Sequence, residues 1–193
     1  EQFVADLHED QDTIWFLTAE SREAALASPH LEAFSKKNLN VLLLTDGVDE
    51  WLVNHLKEFD GKEIKSASRG ELNIDEEDAT DNADLTEFAP FAQKVLDGEV
   101  AAVRSSSRLT ESACVLVDDE EGMSANMERI LRNANQDVMG GQRILELNPS
   151  HPLIENLARL HAAGRQDDIE PFVHLLLDNA RLMDGAVQDP AAL

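Results

Sequence analysis

Short apolar runs alternate with helical patterns over the first third of this 193-residue chain. Residues 14–17 and 41–44 have the length and composition of buried strands, and Ile64 marks a weaker third strand. The Ala-rich stretch 21–28 is typical of a helix. Pro29 can open another, over residues 29–37, because the first turn of a helix tolerates proline. This alternation predicts a small α/β unit in which helices cover a parallel sheet.

The segment after the second strand has the spacing of an amphipathic helix. The Asp46-Gly47 pair is typical of a turn before it, and we expect Asp60-Gly61 to end it. Taken alone, the pattern favours packing in a core. Trp51, at the edge of the stripe, could instead be half exposed and anchor a partner. The stripe follows the helical period and consists of Val48, Trp51, Leu52, His55, Leu56 and Phe59.

Composition changes between residues 75 and 84, where Asp, Glu, Asn, Ala and Thr dominate. Low hydrophobicity with concentrated charge favours a solvated linker or the start of an exposed helix, so we expect a domain boundary there. Beyond it, residues 85–96 are typical of a helix that ends near Gly98. Three strands are then expected, at residues 100–103, 113–117 and 144–147. Both faces of the second of these are apolar, which predicts a mixed sheet covered on both sides.

Two helices are expected to close the chain. Ser150 should cap the first, with Pro152 in its first turn and Gly164 just past its end. Asp168 should cap the second, with Pro171 in its first turn. The last helix carries an apolar arc too wide for one neighbour to cover. The helix before it can cover one side. The other side of the arc could be covered by a second copy of the chain, in a helix bundle about a two-fold axis, or by the chain's own domain. The pattern favours neither alternative.

The formal net charge of −23 narrows the classes of partner. Such a field repels nucleic acid and anionic membranes. Its simplest consequence is solubility, with binding of basic partners as the alternative. No apolar run approaches the ~20 residues of a membrane-spanning helix. The acidic N-terminus has neither an initiator Met nor the basic start of a secretory signal, so we expect a cut inside a longer protein. A single cysteine suits a reducing cytoplasm.

The sequence contains no recognisable catalytic or metal-binding constellation. Gly140-Gly141 has the spacing of neither a dinucleotide-binding motif nor a phosphate loop. The histidines lack the spacing of a helical metal site, so we interpret His30, His55 and His174 as core or rim residues. Cys114 has no basic neighbour that would lower the pKa of its thiol, and we expect it to pack in a core. We therefore predict no catalytic and no metal-binding residue.

The helix predicted over residues 123–134 carries a second apolar stripe. Met123, Met127, Ile130 and Leu131 fall on one face of it. Methionine is flexible and polarizable, so such a face can adapt to many partners. An ordinary packed face is the alternative, and the residues alone favour it.

Several motifs in sequence order resemble the heat shock protein 90 chaperone family, in its bacterial high-temperature protein G form. The central motif is Asp49-Glu50-Trp51-Leu52-Val53-Asn54, followed by Lys57-Glu58-Phe59-Asp60-Gly61-Lys62. Ser28-Pro29-His30-Leu31-Glu32 and Val41-Leu42-Leu43-Leu44 precede it. Arg108-Leu109-Thr110 and the stretch from Glu146-Leu147-Asn148-Pro149 to Leu153 follow it. The resemblance covers nearly the whole chain.

The resemblance implies a two-domain fragment of an ATP-driven dimeric chaperone of the cytoplasm. Residues 1–78 would be the last α/β portion of the middle domain, and residues 79–193 the C-terminal dimerisation domain. ATP and magnesium would bind in an N-terminal domain upstream, so the fragment itself would need no cofactor and hydrolyse no ATP. Partners would be unfolded client proteins, a second copy of the chain and co-chaperones. A further helix after residues 188–190, present in the family, would complete the dimer bundle.

The resemblance also implies site residues. Client contacts would involve Glu50, Trp51, Asn54, Met123, Met127, Ile130 and Leu131. The dimer interface, combining the resemblance with the apolar stripes, would involve Leu153, Leu157, Leu160, Phe172, Leu175, Leu176, Ala180, Leu182 and Met183.

Two other functions stay open from the residues. One is a small α/β enzyme with a site at the strand ends near Thr45, Asp46 and Asp49, where open sheets bind ligands. The other is an assembly module that dimerises through its last two helices and ignores unfolded proteins.

Overall fold

The computed structural model describes residues 2–5, 7–8, 11–72, 83–120, 122–134, 136 and 141–184. The predicted boundary between residues 78 and 79, most of the acidic segment and the end of the chain lie outside these ranges. The division into two domains therefore stays a prediction. In chain order the elements are α1 (Gln2–Ala5), β1 (Thr13–Thr18), α2 (Arg22–Leu26), a 3-10 turn (Pro29–Leu31), α3 (Glu32–Lys36), β2 (Val41–Leu44), α4 (Gly47–His55), β3 (Glu58–Phe59), β4 (Lys62–Ser66), α5 (Ala83–Val95), β5 (Ala102–Ser105), β6 (Cys114–Val117), α6 (Ala125–Asn133), β7 (Ile144–Leu147), α7 (Pro152–Ala162) and α8 (Gln166–Met183).

The first sheet has the strand order β2-β1-β4-β3. β1 runs parallel to β2 and to β4, and β3 runs antiparallel to β4. The interpretation of Asp60-Gly61 as a helix end was wrong. Asp60 (φ 53°) and Gly61 (φ 76°) form the two-residue turn of the β3–β4 hairpin, and positive φ at both central positions is what such a tight hairpin needs. The expectation that β2 is fully buried was also wrong, because it is an edge strand and its four residues are half-buried.

The second sheet has the order β5-β7-β6, with β7 parallel to β5 and antiparallel to β6. All four residues of β6 are buried, which confirms that both faces are covered. One core cluster joins α5, the sheet, α7 and α8 around Phe88, Leu145, Ile154 and Leu177. The two sheets with their helices confirm the predicted mixed α/β class. A single chain does not test the dimer bundle.

The helix starts differ from the predicted ones by a few residues. α7 is capped by His151, whose Nδ1 accepts a hydrogen bond from the Leu153 amide at 3.1 Å, and not by Ser150. α8 begins after Arg165, so Asp168 lies in its first turn and is not its cap. β5 starts at Ala102, two residues later than predicted. Cap positions are set by local side-chain geometry, which propensity resolves only to within a residue or two.

Polar contacts, some of them buried, join the first sheet and its helices to the second sheet and the loop before β6. The Arg108 guanidinium donates hydrogen bonds to the carbonyls of Ala67 and Gly70, just after β4, and to Glu146 on β7. The Glu32 carboxylate of α3 accepts hydrogen bonds from the amides of Thr110, Glu111 and Ser112. Partial burial acts to raise the pKa of Glu32, but these amides and the Ser112 hydroxyl together lower it. The motifs around Glu32, Arg108 and Glu146 therefore meet at one junction.

Candidate functional site

α4 begins with a reciprocal capping box. The Asp46 carboxylate accepts a hydrogen bond from the Val48 amide at 3.2 Å, and the Asp49 carboxylate accepts one from the Asp46 amide at 3.1 Å. This arrangement satisfies amides that the first turn would otherwise leave unpaired. Both carboxylates proposed for an enzymatic strand-end site therefore start a helix.

The apolar stripe of α4 faces outward, and the preference for core packing was wrong. Trp51 and Leu52 are each 54% exposed. The helix also ends at His55, so Phe59 belongs to β3 and not to the stripe. The exposed large apolar side chains that we group as the α4 face are Val48, Trp51, Leu52 and Leu56. Several exposed apolar side chains grouped on one helix are typical of a contact site for another molecule.

The inward side of α4 is held by a carboxylate. Glu50 is only 2% exposed. It accepts a hydrogen bond from Ser124 Oγ at 2.9 Å and another from Asn126 Nδ2 at 2.9 Å. Ser124 is the N-cap of α6, and its Oγ accepts a hydrogen bond from the Met127 amide at 3.1 Å. We call Glu50, Ser124 and Asn126 the clasp.

The clasp brings the two predicted client segments together. α4 and α6 are in contact, and a Cβ added to Gly47 at the start of α4 would lie 3.7 Å from Ile130 Cδ1. This is an ordinary van der Waals distance, so the first turn of α4 lies directly against the α6 stripe.

The α6 stripe is divided by this packing. Met123, just before the helix, is 42% exposed, whereas Met127 is only 5% exposed. Ile130 and Leu131 are half-buried, and Asn54 on α4 is exposed. Contact with clients at the seven predicted residues stays a prediction, with Trp51, Asn54 and Met123 already at the surface.

Two clefts flank the clasp, and Ser124 lines both. One, of about 450 Å³, lies between α4 and the first sheet and is lined by Trp15, Val53 and Lys57 among others. The other, of about 510 Å³, lies where β1, α6 and the end of α8 meet. The second cleft contains His30 and Arg143.

Buried ionisable groups line the second cleft. Burial, helped by the charges of Arg108 and Arg143, lowers the pKa of His30 to about 3. Burial raises the pKa of Asp118 to about 7, although Arg143 Nε lies 3.5 Å from its Oδ1 and opposes the shift. Arg143 also pairs with Glu128 and Asp184. This cluster ties β6, α6 and the end of α8 together.

The predicted dimer residues fall into two groups. Leu157, Leu176 and Ala180 are buried in the chain's own core, and Leu160 packs against that core. The remaining residues are exposed. Leu153, Phe172 and Leu175 lie on the outer side of α7 and α8, whereas Leu182 and Met183 line the second cleft at the end of α8. The interface itself stays a prediction.

The described residues also show whether they include a reactive cysteine, a metal site or a membrane-spanning helix. Cys114 is buried, its Sγ donates to the Leu176 carbonyl at 3.2 Å, and burial raises the pKa of its thiol to about 12. It packs in the core, as expected. In the described ranges no cluster of three or more His, Cys, Asp or Glu residues could hold a metal ion. None of the helices there has the length and apolarity to cross a membrane.

Sequence reasoning missed Ser124 and Asn126. Serine is a preferred N-cap residue, so Ser124 could have been identified as the start of α6, which would have placed Met123 before the helix. The bond to Glu50 could not, because it joins residues 74 positions apart in the chain.

Comparisons with known protein sequences show which proteins this chain resembles. A family model described as Hsp90 protein matches residues 1–193. Chaperone protein HtpG of Methylococcus capsulatus is 44% identical over 200 residues, covering 99% of this chain and 31% of that protein. The proteins of the same name from Geobacter metallireducens and Vesicomyosocius okutanii are 44% and 39% identical, each over 200 residues. The first covers 98% and the second 99% of this chain, and the chain spans 31% of the length of each.

Proposed function

The chain belongs to the Hsp90 family, and on that premise we propose that it is the client-holding and dimerising portion of a molecular chaperone. It binds non-native proteins at a surface made by the α4 face and the adjoining end of α6. It associates with a second copy through the outer side of α7 and α8. The one observation that carries the proposal is the outward-facing α4 face beside α6.

The composition of the α4 face suits non-native proteins. Trp51 and Leu52 offer a broad apolar contact area at little cost in side-chain entropy, and exposed aromatic side chains are common anchors of interfaces. Unfolded chains expose apolar segments of varied sequence, and Met123 at the margin of the face can adapt to them. The exposed carboxylates of Asp46 and Glu58 border the face, which keeps it soluble without a client.

Dimerisation would place two such surfaces on one particle. Two weak sites that engage one long unfolded chain gain apparent affinity through effective concentration. Phe172 and Leu175 are exposed on α8, and a matching helix of a second copy would bury them.

Membership of the Hsp90 family supports further proposals about ATP, location, domains and partners. We infer that ATP and magnesium bind in a part of the full-length protein that this chain does not span, and that this chain hydrolyses no ATP. We also propose that the protein works in the cytoplasm and that co-chaperones bind it. Residues 1–78 and 79–193 would form its two domains. Nucleic acid and membranes are not expected partners at a net charge of −23.

A titration with a permanently unfolded protein tests the proposal. The chain has two tryptophans, so a Trp15→Phe background leaves Trp51 as the only indole. Trp15 packs edge-on against Phe34, with the two ring centroids 5.3 Å apart, and a phenylalanine at position 15 keeps most of that contact. A saturable change in emission, absent when the same protein is folded, is the expected result.

A flat emission response from a folded dimer would overturn client binding at Trp51. It would favour the alternative function, an assembly module that works through α7 and α8 alone. The exposed apolar side chains of α8 are the observation that favours this alternative.

A further inference from the structure

We propose that Glu50 is a positioning residue, and that the clasp covers part of the client surface by docking α6 on α4. Opening the clasp would expose the covered part of the α6 stripe, which includes the buried Met127. This inference rests on the proposed function, and it assigns a shared role to Glu50, Ser124 and Asn126.

The contrast between neighbouring residues of α4 motivates the inference. Trp51 is half exposed, whereas Glu50 is almost wholly buried. A carboxylate with 2% exposure cannot contact an incoming protein unless the helix moves. A buried carboxylate is costly unless hydrogen bonds satisfy it, and the two donors that satisfy Glu50 come from α6.

The clasp also fixes where α6 begins. Ser124 donates to Glu50 and at the same time caps α6 by accepting from the Met127 amide. The first turn of α6 is therefore tied to the inner side of α4. Further along α6, Ile130 lies against Gly47 of α4. Met127 lies between Ser124 and Ile130 in the sequence and is buried.

The covered state reduces the apparent affinity of α6 for a client. When only a fraction of molecules is open, the apparent Kd is the intrinsic Kd divided by that fraction. A client that binds both α4 and α6 would open the clasp with part of its binding energy. Variants that open the clasp in advance should therefore bind such clients more tightly.

Asn126→Asp is the variant that isolates docking from helix formation. It places a carboxylate opposite the Glu50 carboxylate at a site where the present atoms are 2.9 Å apart, and like charges this close repel. The same change puts an acid into the first turn of α6, which the helix dipole favours. Arg129 Nη2, which now donates to Asn126 Oδ1, can still donate to aspartate.

The reciprocal variant restores the clasp. In Glu50→Gln/Asn126→Asp the amide lies on α4 and the carboxylate on α6, so donor and acceptor exchange places. Gln166→Glu, at an exposed glutamine in the first turn of α8, is the matched control for the addition of one negative charge.

The test measures hydrogen exchange of residues 123–134 and the Kd for a permanently unfolded protein, both at pH 8. In Asn126→Asp we expect exchange about tenfold faster, since one charge-assisted hydrogen bond is lost, and a lower Kd. The reciprocal variant should return both values to those of the unmodified chain. Gln166→Glu should change neither.

Each other result has a definite meaning. Unchanged exchange in Asn126→Asp overturns the clasp. Faster exchange with an unchanged Kd overturns the covering of the client surface, while the proposed function stands if Trp51→Ala weakens binding. An unmodified chain that binds no client overturns the proposed function itself, and this inference with it.

Discussion

Arg108 and Glu146 form a fully buried ion pair, with Nε of the arginine 2.8 Å from Oε2 of the glutamate. The Arg108 side chain is 0% and the Glu146 side chain 2% exposed. Arg104 approaches the other oxygen of the same carboxylate at 2.8 Å. Because Arg108 also binds carbonyls that follow β4, this pair links the first sheet to the second.

We expect Arg108→Met to destabilise the chain by about 3 kcal/mol, because it leaves a buried carboxylate and two buried carbonyls short of partners. Urea unfolding followed by tryptophan emission measures the change. The control is Arg165→Met, which breaks an exposed pair with Asp168 and should cost about 0.5 kcal/mol or less. Equal effects of the two variants would contradict a structural role for the junction.

The buried His30 should make the chain sensitive to acid. Burial lowers the pKa of His30 in the folded chain from 6.5 to about 3. Between these pH values the unfolded chain therefore binds a proton at His30 that the folded chain does not bind. This contribution to stability is complete above pH 6.5 and is lost as the pH falls toward 3, at a slope approaching about 1.4 kcal/mol per pH unit.

The measurement is the free energy of unfolding between pH 7 and pH 4, compared between variants. His30→Gln should lower the slope of the unfolding free energy against pH by up to about 1.4 kcal/mol per pH unit relative to the unmodified chain. Asp118, whose pKa is raised to about 7, contributes a slope of opposite sign that both chains share. His55→Gln, at an exposed histidine of α4, serves as the control and should leave the slope unchanged. Parallel slopes for the chain and for His30→Gln would contradict the prediction.

Neighbouring leucines of α8 should separate dimerisation from folding. Leu175 is 60% exposed and Leu176 only 4%. Leu175→Glu should leave the monomer folded and weaken the dimer. Leu176→Glu buries an unpaired charge and should cost about 3 kcal/mol or more in stability.

Sedimentation over a range of concentrations, with thermal unfolding alongside, distinguishes the two leucine variants. A dimer unaffected by Leu175→Glu would place the interface elsewhere than the outer side of α8.

Trp51→Ala should weaken client binding without unfolding the chain. Because the side chain is half exposed, the stability change should stay within about 0.5 kcal/mol, while the loss of an aromatic anchor should raise the Kd about tenfold or more. Leu26→Ala, at another exposed apolar residue, on α2, is the control. Equal Kd values for Trp51→Ala and Leu26→Ala would contradict a specific role for the α4 face.

Cys114 should report global unfolding. Its thiol is buried and has a pKa raised to about 12, and only the thiolate reacts with alkylating reagents. Alkylation at pH 8 should be slow in the folded chain and should accelerate in parallel with unfolding in urea. Rapid labelling of the folded chain would mean that β6 opens locally.

Periodicity and composition predicted most elements because each depends on local spacing. The strands at 14–17, 41–44 and 144–147 and the helices on either side of Gly164 need only a run of apolar residues and a punctuating glycine or proline. The predictions failed where two local patterns look alike. Asp60-Gly61 is suited both to a helix end and to a hairpin turn, and only the pairing of β3 with β4 decides between them.

The sequence by itself determined the mixed α/β class, the order of the elements and, through its motifs, the family. The tertiary structure alone decided which face of α4 turns inward. An apolar stripe has the same periodicity whether it packs in a core or lies exposed to bind a partner. Burial of the Glu50 carboxylate, in contrast, requires two hydrogen-bond donors, which lie 74 and 76 positions away in the chain. Once α6 supplies those donors, Glu50 must face it and Trp51 must face solvent. No pattern confined to α4 carries that information.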